Sequence, residues 1–254
     1  MTDTLFRSAT DAWLRCLRPV PRPRLRLVCF PHAGGNAAFF RSWASCLPED
    51  VELHSVQYPG RMDRIGEPLL RRMDPLANRA AHAIAPLLRG APVALVGHSL
   101  GASVAHEVAL RLARFAPALV VSGRPAPQHL HEGSVHLADD ATVWAEIGRL
   151  GGTDDEILDN PALRSLVVPV LRADYEVAET YAPAGQPTVL NGPVLALLGD
   201  DDPEVTEPEA RGWSAHAGST FALRVFPGDH FYLVGKEADV VGAILTTLEG
   251  WWSR

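Results

Sequence analysis

Six short apolar runs, separated by segments with helical spacing, constrain the fold of this chain more than any other feature of its sequence. The runs are RLRLVCF (24–30), VELHSVQ (51–57), PVALVGH (92–98), ALVVSG (118–123), PVLALLG (193–199) and FALRVFP (221–227). Continuous apolar runs of this length are typical of strands that are buried on both faces of a parallel sheet. Because helical segments alternate with them, we predict an α/β fold with a mostly parallel central sheet and helices on both faces.

The helical segments carry apolar residues at helical spacing over 74–89, 100–114, 139–150, 161–181, 206–217 and 238–252. In the first of them Asp74 precedes Pro75, and this pair predicts a helix N-cap at Asp74. Between the strands at 118–123 and 193–199 the chain shows no strand pattern, and a simple crossover needs far fewer residues. We therefore expect residues 1–254 to form a single domain, with a helical insertion over about 124–190 above one end of the sheet.

Composition and charge limit the classes of function. A chain of 254 residues can bury a full core, and its net charge of -7 argues against non-specific binding of nucleic acid. No run approaches the ~20 apolar residues of a membrane span, and the N-terminal residues do not resemble a signal peptide. The three cysteines lack paired or metal-ligand spacing. We expect a cytoplasmic protein with reduced thiols that binds neither membrane nor metal.

The segment ALVGHSLGAS (94–103) places Ser99 between Gly97 and Gly101, where a predicted strand gives way to a predicted helix. A nucleophilic serine on such a sharp turn projects above the carboxyl end of the sheet, and only small neighbours avoid a clash. The backbone N–H of Leu100 would lie at the start of the helix, where unpaired donors and the helix dipole favour negative charge. This context favours a catalytic serine over a plain serine cap.

A serine hydroxyl is a poor nucleophile until a base takes its proton. With this turn, the expected chain order is serine, then an acid, then histidine. His230 lies in the loop after the last predicted strand and is the predicted base. His98 directly precedes Ser99, and strand alternation is expected to point its side chain away from that serine.

Three consecutive aspartates follow the strand at 193–199 and are candidates for the acid. We predict Asp202, because the orienting carboxylate has to reach out from the loop and Pro203 stiffens the turn behind it. Its role would be to fix the tautomer of His230 and to stabilise the imidazolium. Asp200 and Asp201 are expected to face solvent.

The loop PHAGGNAAF (31–39) after the first strand is predicted to supply one of two oxyanion donors. Its glycines let the backbone approach a substrate closely. We expect the backbone N–H of Ala33 in this role, with the N–H of Leu100 as its partner. Either group would act through its position and not through its side chain.

Several longer motifs add a family resemblance. They are FPHAGG (30–35), QYPGRMDR (57–64), GHSLG (97–101), LGGT (150–153), PVLRADYEVAETY (169–181), GDDDPEV (199–205), Trp213 and FPGDHFYL (226–233). In this order they resemble the stand-alone type II thioesterases of polyketide synthase and nonribosomal peptide synthetase pathways, which have the α/β-hydrolase fold. His32 departs from the pattern, since many members carry tyrosine at this position.

The resemblance implies a Ser99–His230–Asp202 catalytic triad, oxyanion donors at Ala33 and Leu100, and a mobile helical lid. It implies hydrolysis of acyl thioesters on the phosphopantetheine arm of acyl or peptidyl carrier proteins, which clears stalled or aberrant acyl units. No cofactor is expected, because the substrate carries the phosphopantetheine.

Two further expectations concern the lid and the partner. Some apolar lid residues are predicted to line an acyl tunnel that leads to Ser99, and the candidates are Trp144, Ile147, Leu150, Leu166, Val170 and Leu171.

Two arginine-rich stretches could meet a carrier protein. The stretch with Arg61, Arg64, Arg71 and Arg72 is favoured over the stretch with Arg18, Arg22, Arg24 and Arg26, because it leaves the carboxyl end of its strand.

Three alternatives share parts of this pattern. A general carboxylesterase or lipase-like hydrolase of small esters would use the same triad, and YPGR (58–61) and LRADYEVAETY (171–181) disfavour it. An excised cyclising thioesterase domain is not expected, because the chain begins at its own Met1 without an upstream carrier module. A non-catalytic binding protein on a hydrolase fold is disfavoured by the complete triad.

Overall fold

The structure is a computed structural model that describes residues 12–150, 160–183 and 187–252. Seven strands form one sheet in the order β1-β3-β2-β4-β5-β6-β7. The strands are β1 (Leu14–Arg18), β2 (Leu25–Phe30), β3 (Val51–Val56), β4 (Val93–His98), β5 (Ala118–Ser122), β6 (Val194–Gly199) and β7 (Phe221–Phe226). Strands β2 to β7 pair in parallel. The predicted α/β fold and its mostly parallel sheet are confirmed.

Strand β1 is an addition to the six predicted strands. It pairs antiparallel with β3 at the edge of the sheet, with Cys16 opposite His54. Its sequence, LRCLR, is only partly buried, so it lacks the continuous apolar run that marks the six parallel strands. The sequence pattern therefore did not predict this strand.

The helices of the described residues flank this sheet. They are α1 (Met73–Ile84), α2 (Leu100–Arg111), α3 (Asp140–Leu150), α4 (Pro161–Thr180), α5 (Glu207–Arg211) and α6 (Glu237–Trp252). One apolar cluster packs α1 and α2 on one face of the sheet. A second packs α6 and the 3-10 helix Ala37–Cys46 on the other face. The inner strands β4, β5 and β6 are therefore buried along their whole length, which explains why their sequences are almost entirely apolar.

The start of α1 corrects one prediction. The helix begins at Met73, and Arg72 is its N-cap residue. Asp74 therefore lies inside the first turn, where its carboxylate accepts a hydrogen bond from Arg111 of α2 at 2.8 Å. Met73 is 6% exposed, so the first residue of the helix already packs into the core.

Helices α3 and α4 lie in the predicted insertion and pack together. Val143 and Trp144 of α3 form a small cluster with Val168 and Leu171 of α4. Residues 151–159, which hold most of the LGGT motif, lie outside the described residues. The extent of the insertion, about 124–190, and the division into one domain stay predictions. Within the ranges that the structure describes, no helix is both long and apolar enough to cross a membrane.

Candidate active site

Ser99 occupies the turn between β4 and α2. Strand β4 ends at His98, α2 begins at Leu100, and Ser99 between them has φ 54° and ψ -124°. A positive φ is strained for a residue with a side chain, and such strain is typical of functional turns. The backbone N–H of Ser99 donates to the carbonyl of Ser122 on β5 at 2.8 Å, which ties the turn to the sheet.

The glycines on either side of this turn are required by space. A Cβ at Gly97 would lie 2.2 Å from the carbonyl oxygen of Gly101, and a Cβ at Gly101 would lie 2.1 Å from the carbonyl oxygen of Phe30. Neither backbone atom can give way without moving a strand or a helix. The turn that presents Ser99 therefore depends on both glycines, as the motif predicts.

His230 and Asp202 lie side by side after β7 and β6. The Nδ1 atom of His230 is 3.0 Å from both carboxylate oxygens of Asp202, and the two side chains are 1% and 0% exposed. A proton on Nδ1 is thus held by the carboxylate, which leaves the lone pair on Nε2. Within the part of the chain that the structure describes, Nε2 is buried and has no hydrogen-bond partner. His230 is therefore arranged to accept a proton at Nε2.

The other two aspartates of this loop lie elsewhere. Asp200 and Asp201 are exposed, and Asp200 accepts a hydrogen bond from the backbone N–H of Gly228 at 2.8 Å. Asp202 also accepts from the backbone N–H of Glu204 at 2.9 Å, which fixes its carboxylate beneath His230. The structure brings Asp202 and not its neighbours to the histidine.

One cavity of about 380 Å³ joins the predicted site residues. Ser99, His230, Ala33 and Leu100 all line it. Leu100 is the first residue of α2, and the N–H groups of a first helical turn have no partner within the helix. The N–H groups of Leu100 and Ala33 stay the predicted oxyanion donors.

Helices α3 and α4, which form the predicted lid, supply a largely apolar part of the remaining lining. Four of the predicted lid residues line it, namely Trp144, Ile147, Leu150 and Leu171. Leu166 and Val170 are not among the lining residues, because Leu166 is 56% exposed and Val170 is buried in the packing of α4. An apolar chamber beside Ser99 is suited to an apolar chain of a ligand.

A second cavity of about 210 Å³ reaches Ser99 and His230 from another side. Its lining is polar and charged, with Arg124, Glu146, Arg149, Glu179 and Glu204 among its residues. Arg149 of α3 pairs with Glu204 of the acid loop, so this ion pair joins the lid to the wall of the cavity. Two cavities of different chemistry thus meet at the serine.

A cluster of rings packs beneath His230 and was missed by sequence reasoning. His98 is the last residue of β4, and its ring centroid lies 4.9 Å from that of His230. Its Nδ1 lies 3.0 Å from the Ser122 hydroxyl, which lies 2.6 Å from the hydroxyl of Tyr232. Burial, and then the nearby His230, hold the pKa of His98 well below its ordinary value. His98 is therefore a neutral packing surface for the base.

His32 belongs to the same ring cluster. Its centroid lies 4.5 Å from that of Phe39 and 4.9 Å from that of Phe231. Burial, and then the positive charge of His230 when that residue is protonated, lower the pKa of His32 to about 3. The histidine in the place of the family tyrosine is thus an uncharged wall of the cavity.

The arginine-rich stretch after β3 is only partly a surface. Arg61 and Arg64 are 7% and 5% exposed, and they pair with Asp174 and Glu67, respectively. The expectation that these two arginines meet a carrier protein is wrong, because their guanidinium groups are buried and form ion pairs within the protein. Arg71 and Arg72 are exposed.

Among the residues that the structure describes, one group of side chains could hold a metal ion, and it lies apart from the serine. Ligand atoms of Cys16, Glu52 and His54 lie within 4.8 Å of one another on β1 and β3. Glu52 already accepts a hydrogen bond from Arg26 at 2.7 Å, so a cation would have to compete with an ion pair. The sequence could not reveal this group, because β1 was not predicted. The absence of a metal and of a cofactor stays a prediction.

The fold and the placement of the serine, histidine and aspartate define the class of protein. A serine at the strand-to-helix turn after the central strand, with an acid and a histidine after later strands, is the arrangement of the α/β-hydrolases. Residues 25–251 match the family model of the thioesterase domain. The chain belongs to this family, and it is a hydrolase that acts on thioesters.

Three of the similar proteins are themselves named thioesterases. The thioesterase PikA5 of Streptomyces venezuelae is 43% identical over 239 residues, which cover 92% of this chain and 84% of that protein. The structure of the type II thioesterase BorB from the borrelidin biosynthetic cluster is 41% identical with a TM-score of 0.82, and covers 93% of this chain and 97% of that chain. RedJ, a thioesterase of the prodiginine pathway in Streptomyces coelicolor, is 35% identical with a TM-score of 0.81, over 88% and 85% of the two chains.

Proposed function

We propose that this chain is a type II thioesterase that hydrolyses acyl groups from the phosphopantetheine arm of acyl or peptidyl carrier proteins. In this role it removes stalled or aberrant acyl units during polyketide or nonribosomal peptide biosynthesis. The observation that carries the proposal is the apolar cavity in which Ser99, His230 and the two predicted oxyanion donors meet. The similarity to type II thioesterases of such pathways supports it.

In the proposed reaction Ser99 is the nucleophile. Its Oγ forms a bond to the thioester carbon while His230 Nε2 takes the hydroxyl proton. The negative charge on the carbonyl oxygen is stabilised by the N–H groups of Ala33 and Leu100. The C–S bond then breaks, and the leaving sulfur of the arm receives the proton from His230.

The second half of the reaction hydrolyses the acyl-enzyme. A water molecule gives its proton to His230 Nε2 while its oxygen attacks the acyl carbon. The bond between that carbon and Ser99 Oγ breaks, the free acid leaves, and the proton returns to Oγ. Asp202 holds His230 in the required tautomer and stabilises the imidazolium in both halves.

The two cavities suggest where the parts of the substrate lie. The acyl group fits the apolar cavity beneath α3 and α4, since its lining includes Trp144, Ile147 and Leu171. The phosphopantetheine arm contains amide groups, and the polar cavity offers charged partners such as Arg124 and Glu146. Because both cavities reach Ser99, the thioester bond would lie at their junction.

A panel of carrier proteins loaded with different acyl groups tests the proposal. We expect wild-type protein to release free acids, and Ser99→Ala to lose about 10⁴-fold in turnover with an unchanged circular dichroism spectrum. Small esters with the same acyl groups serve as the comparison. A higher kcat/KM on the esters than on the carrier-bound thioesters would identify a general esterase. If Ser99→Ala keeps a tenth of the wild-type activity, Ser99 is not the nucleophile.

The loop of three aspartates allows a matched test of the acid. Asp202→Asn should lose about 10⁴-fold in kcat, because the amide favours the wrong tautomer of His230. Asp200→Asn is the control, since the Asp200 carboxylate is exposed and accepts from the backbone N–H of Gly228, not from His230, and it should stay within about two-fold. The reverse ranking would move the acid along the loop.

A further inference from the structure

A buried ion pair joins the lid to the loop that carries Ala33. Asp174 lies in α4, and its Oδ2 and Oδ1 accept from Nη1 and Nη2 of Arg61 at 2.7 Å and 2.8 Å. The two side chains are only 8% and 4% exposed. Buried two-point pairs of this kind are geometrically specific, and removing one partner leaves an uncompensated charge. The relative positions of α4 and the segment after β3 are therefore fixed.

The same two side chains hold the backbone of the glycine loop. Asp174 Oδ2 also accepts from the backbone N–H of Gly34 at 2.8 Å. Arg61 Nη1 also donates to the carbonyl of Gly35 at 3.0 Å. The ion pair thus contacts both glycines that follow Ala33, once through a donor and once through an acceptor.

These contacts act on a tight turn that begins at His32. The backbone N–H of Gly35 donates to the carbonyl of His32 at 3.0 Å, and Gly34 has φ +76°. A four-residue turn with positive φ at its third residue is a type II turn. In such a turn the middle peptide, which carries the Gly34 N–H, has one of two opposite orientations. The bond to Asp174 selects the observed orientation.

The N–H of Ala33 belongs to the first peptide of this turn. In a trans peptide it points opposite to the His32 carbonyl, so the bond from Gly35 to that carbonyl also sets the direction of the Ala33 N–H. The turn also fits closely beneath α4, because a Cβ at Gly34 would lie 2.6 Å from Leu171 Cδ2. The orientation of the predicted oxyanion donor thus depends on the turn that α4 and Arg61 hold.

We propose that Asp174 and Arg61 are positioning residues that keep the backbone N–H of Ala33 directed at the developing oxyanion. The inference rests on the proposed function, since it assumes that Ala33 is an oxyanion donor. Part of the lid, the α4 segment around Asp174, then serves as a fixed support of the catalytic loop. Neither residue touches the substrate, and both act through the turn.

The test compares two ion pairs that anchor the same helix. Asp174→Asn removes the buried charge but keeps the shape of the side chain. Glu176→Gln, two residues along α4, removes the exposed pair with Arg71, whose atoms are 2.7 Å apart, and is the matched control. Both variants are assayed with a small acyl-pantetheine thioester, so that docking of a carrier protein has no influence on the result.

We expect Asp174→Asn to lower kcat by about 10- to 100-fold with KM within about three-fold, which is the signature of a weakened transition-state contact. A trifluoromethyl ketone analogue, which forms a tetrahedral adduct with the serine, should lose affinity in parallel with kcat. A non-hydrolysable amide analogue should bind as it does to wild type. Glu176→Gln should match wild type in every measurement.

Arg61→Lys keeps the positive charge but not the two-point contact, and it covers the case in which Asp174→Asn does not fold. It should show the same kcat loss, of smaller size, at an unchanged KM. Equal kcat in wild type, Asp174→Asn and Glu176→Gln would overturn the inference, as would a loss confined to KM or to thermal stability. A wild-type protein that does not cleave the thioester would instead overturn the proposed function.

Discussion

His106 shows how a single buried histidine makes the stability of this protein depend on pH. Its side chain is 2% exposed and packs against Trp213 and His216, with ring centroids 5.2 Å and 5.0 Å away. Within the described residues neither of its ring nitrogens has a hydrogen-bond partner. Burial, and then the neighbouring His216, lower the pKa of His106 to about 3. The folded protein therefore holds this residue neutral.

The sign of the pH effect follows from that lowered pKa. Between pH 6.5 and pH 3 this histidine is protonated in the unfolded chain but not in the folded chain. The free energy of unfolding therefore falls as pH falls, by about 1.4 kcal/mol per pH unit for one histidine. His106→Leu removes this loss. Urea unfolding at pH 7.5 and pH 5 should show that the variant gains stability relative to wild type at the lower pH.

The exposed His82 on α1 provides the control. His82→Leu makes the same substitution at the surface and is measured beside wild type and His106→Leu at both pH values. An identical pH dependence in wild type and His106→Leu would contradict the prediction, because it would mean that His106 is protonated equally in the folded and unfolded chains.

Some residues of the site could be predicted because their signals are local in sequence. Ser99 is marked by glycines on both sides, and His230 and Asp202 each follow a strand that is visible as an apolar run. The pair of Arg61 and Asp174 gave no such signal, because 113 positions separate the two residues. Each charge, taken alone, is typical of a solvated surface. The burial of Arg61 is a property of the packed lid and not of its own segment.

At the scale of elements, burial decides what the sequence reveals. Strands β4, β5 and β6 are buried along their whole length, and each is a continuous apolar run. The sequence pattern predicts the bounds of all six parallel strands within about one residue. Strand β1 has arginines at Arg15 and Arg18 and lies at the edge, where only one neighbour constrains it. Its pairing with β3 comes from tertiary contact, which a pattern in five residues cannot encode.

The lid helices are amphipathic, and the two sides have different roles. Ile147 of α3 lines the apolar cavity beside Ser99, whereas Leu166 of α4 is 56% exposed. Ile147→Trp should fill part of the cavity and shift the preference toward shorter acyl chains. Leu166→Trp adds the same ring at the surface and should leave the preference unchanged.

The measurement is kcat/KM for a series of acyl-pantetheine thioesters of increasing chain length. For Ile147→Trp we expect the ratio of long-chain to short-chain kcat/KM to fall by about ten-fold or more, since each methylene in an apolar pocket is worth roughly 1 kcal/mol. A uniform loss across all lengths would contradict the role of this cavity and would indicate damaged packing between α3 and α4.

At the scale of the whole molecule, net charge limits how a partner is recognised. The chain carries a net charge of -7, so a carrier protein that is itself acidic gains no long-range attraction from it. A favourable contact has to be local. Arg71 and Arg72 are exposed beside the lid, since Arg71 pairs with Glu176 of α4. Arg22 is exposed and precedes the amino end of β2. Ser99 follows the carboxyl end of the parallel strand β4, so the two residues lie at opposite ends of the strands.

This difference in position makes Arg72→Glu and Arg22→Glu a matched pair for locating the docking surface. In the proposed function a carrier has to deliver its arm to the end of the sheet that holds Ser99. Arg72→Glu should therefore lower kcat/KM on an acyl-carrier protein, and this loss should be smaller at high salt. Arg22→Glu makes the same change in net charge and should have little effect. A small acyl-pantetheine thioester never reaches either arginine and should be hydrolysed equally by both variants. If both variants lose the same kcat/KM on the carrier protein, the effect comes from net charge alone. If Arg72→Glu also loses kcat/KM on the small substrate, Arg72 stabilises the pocket and does not contact the carrier.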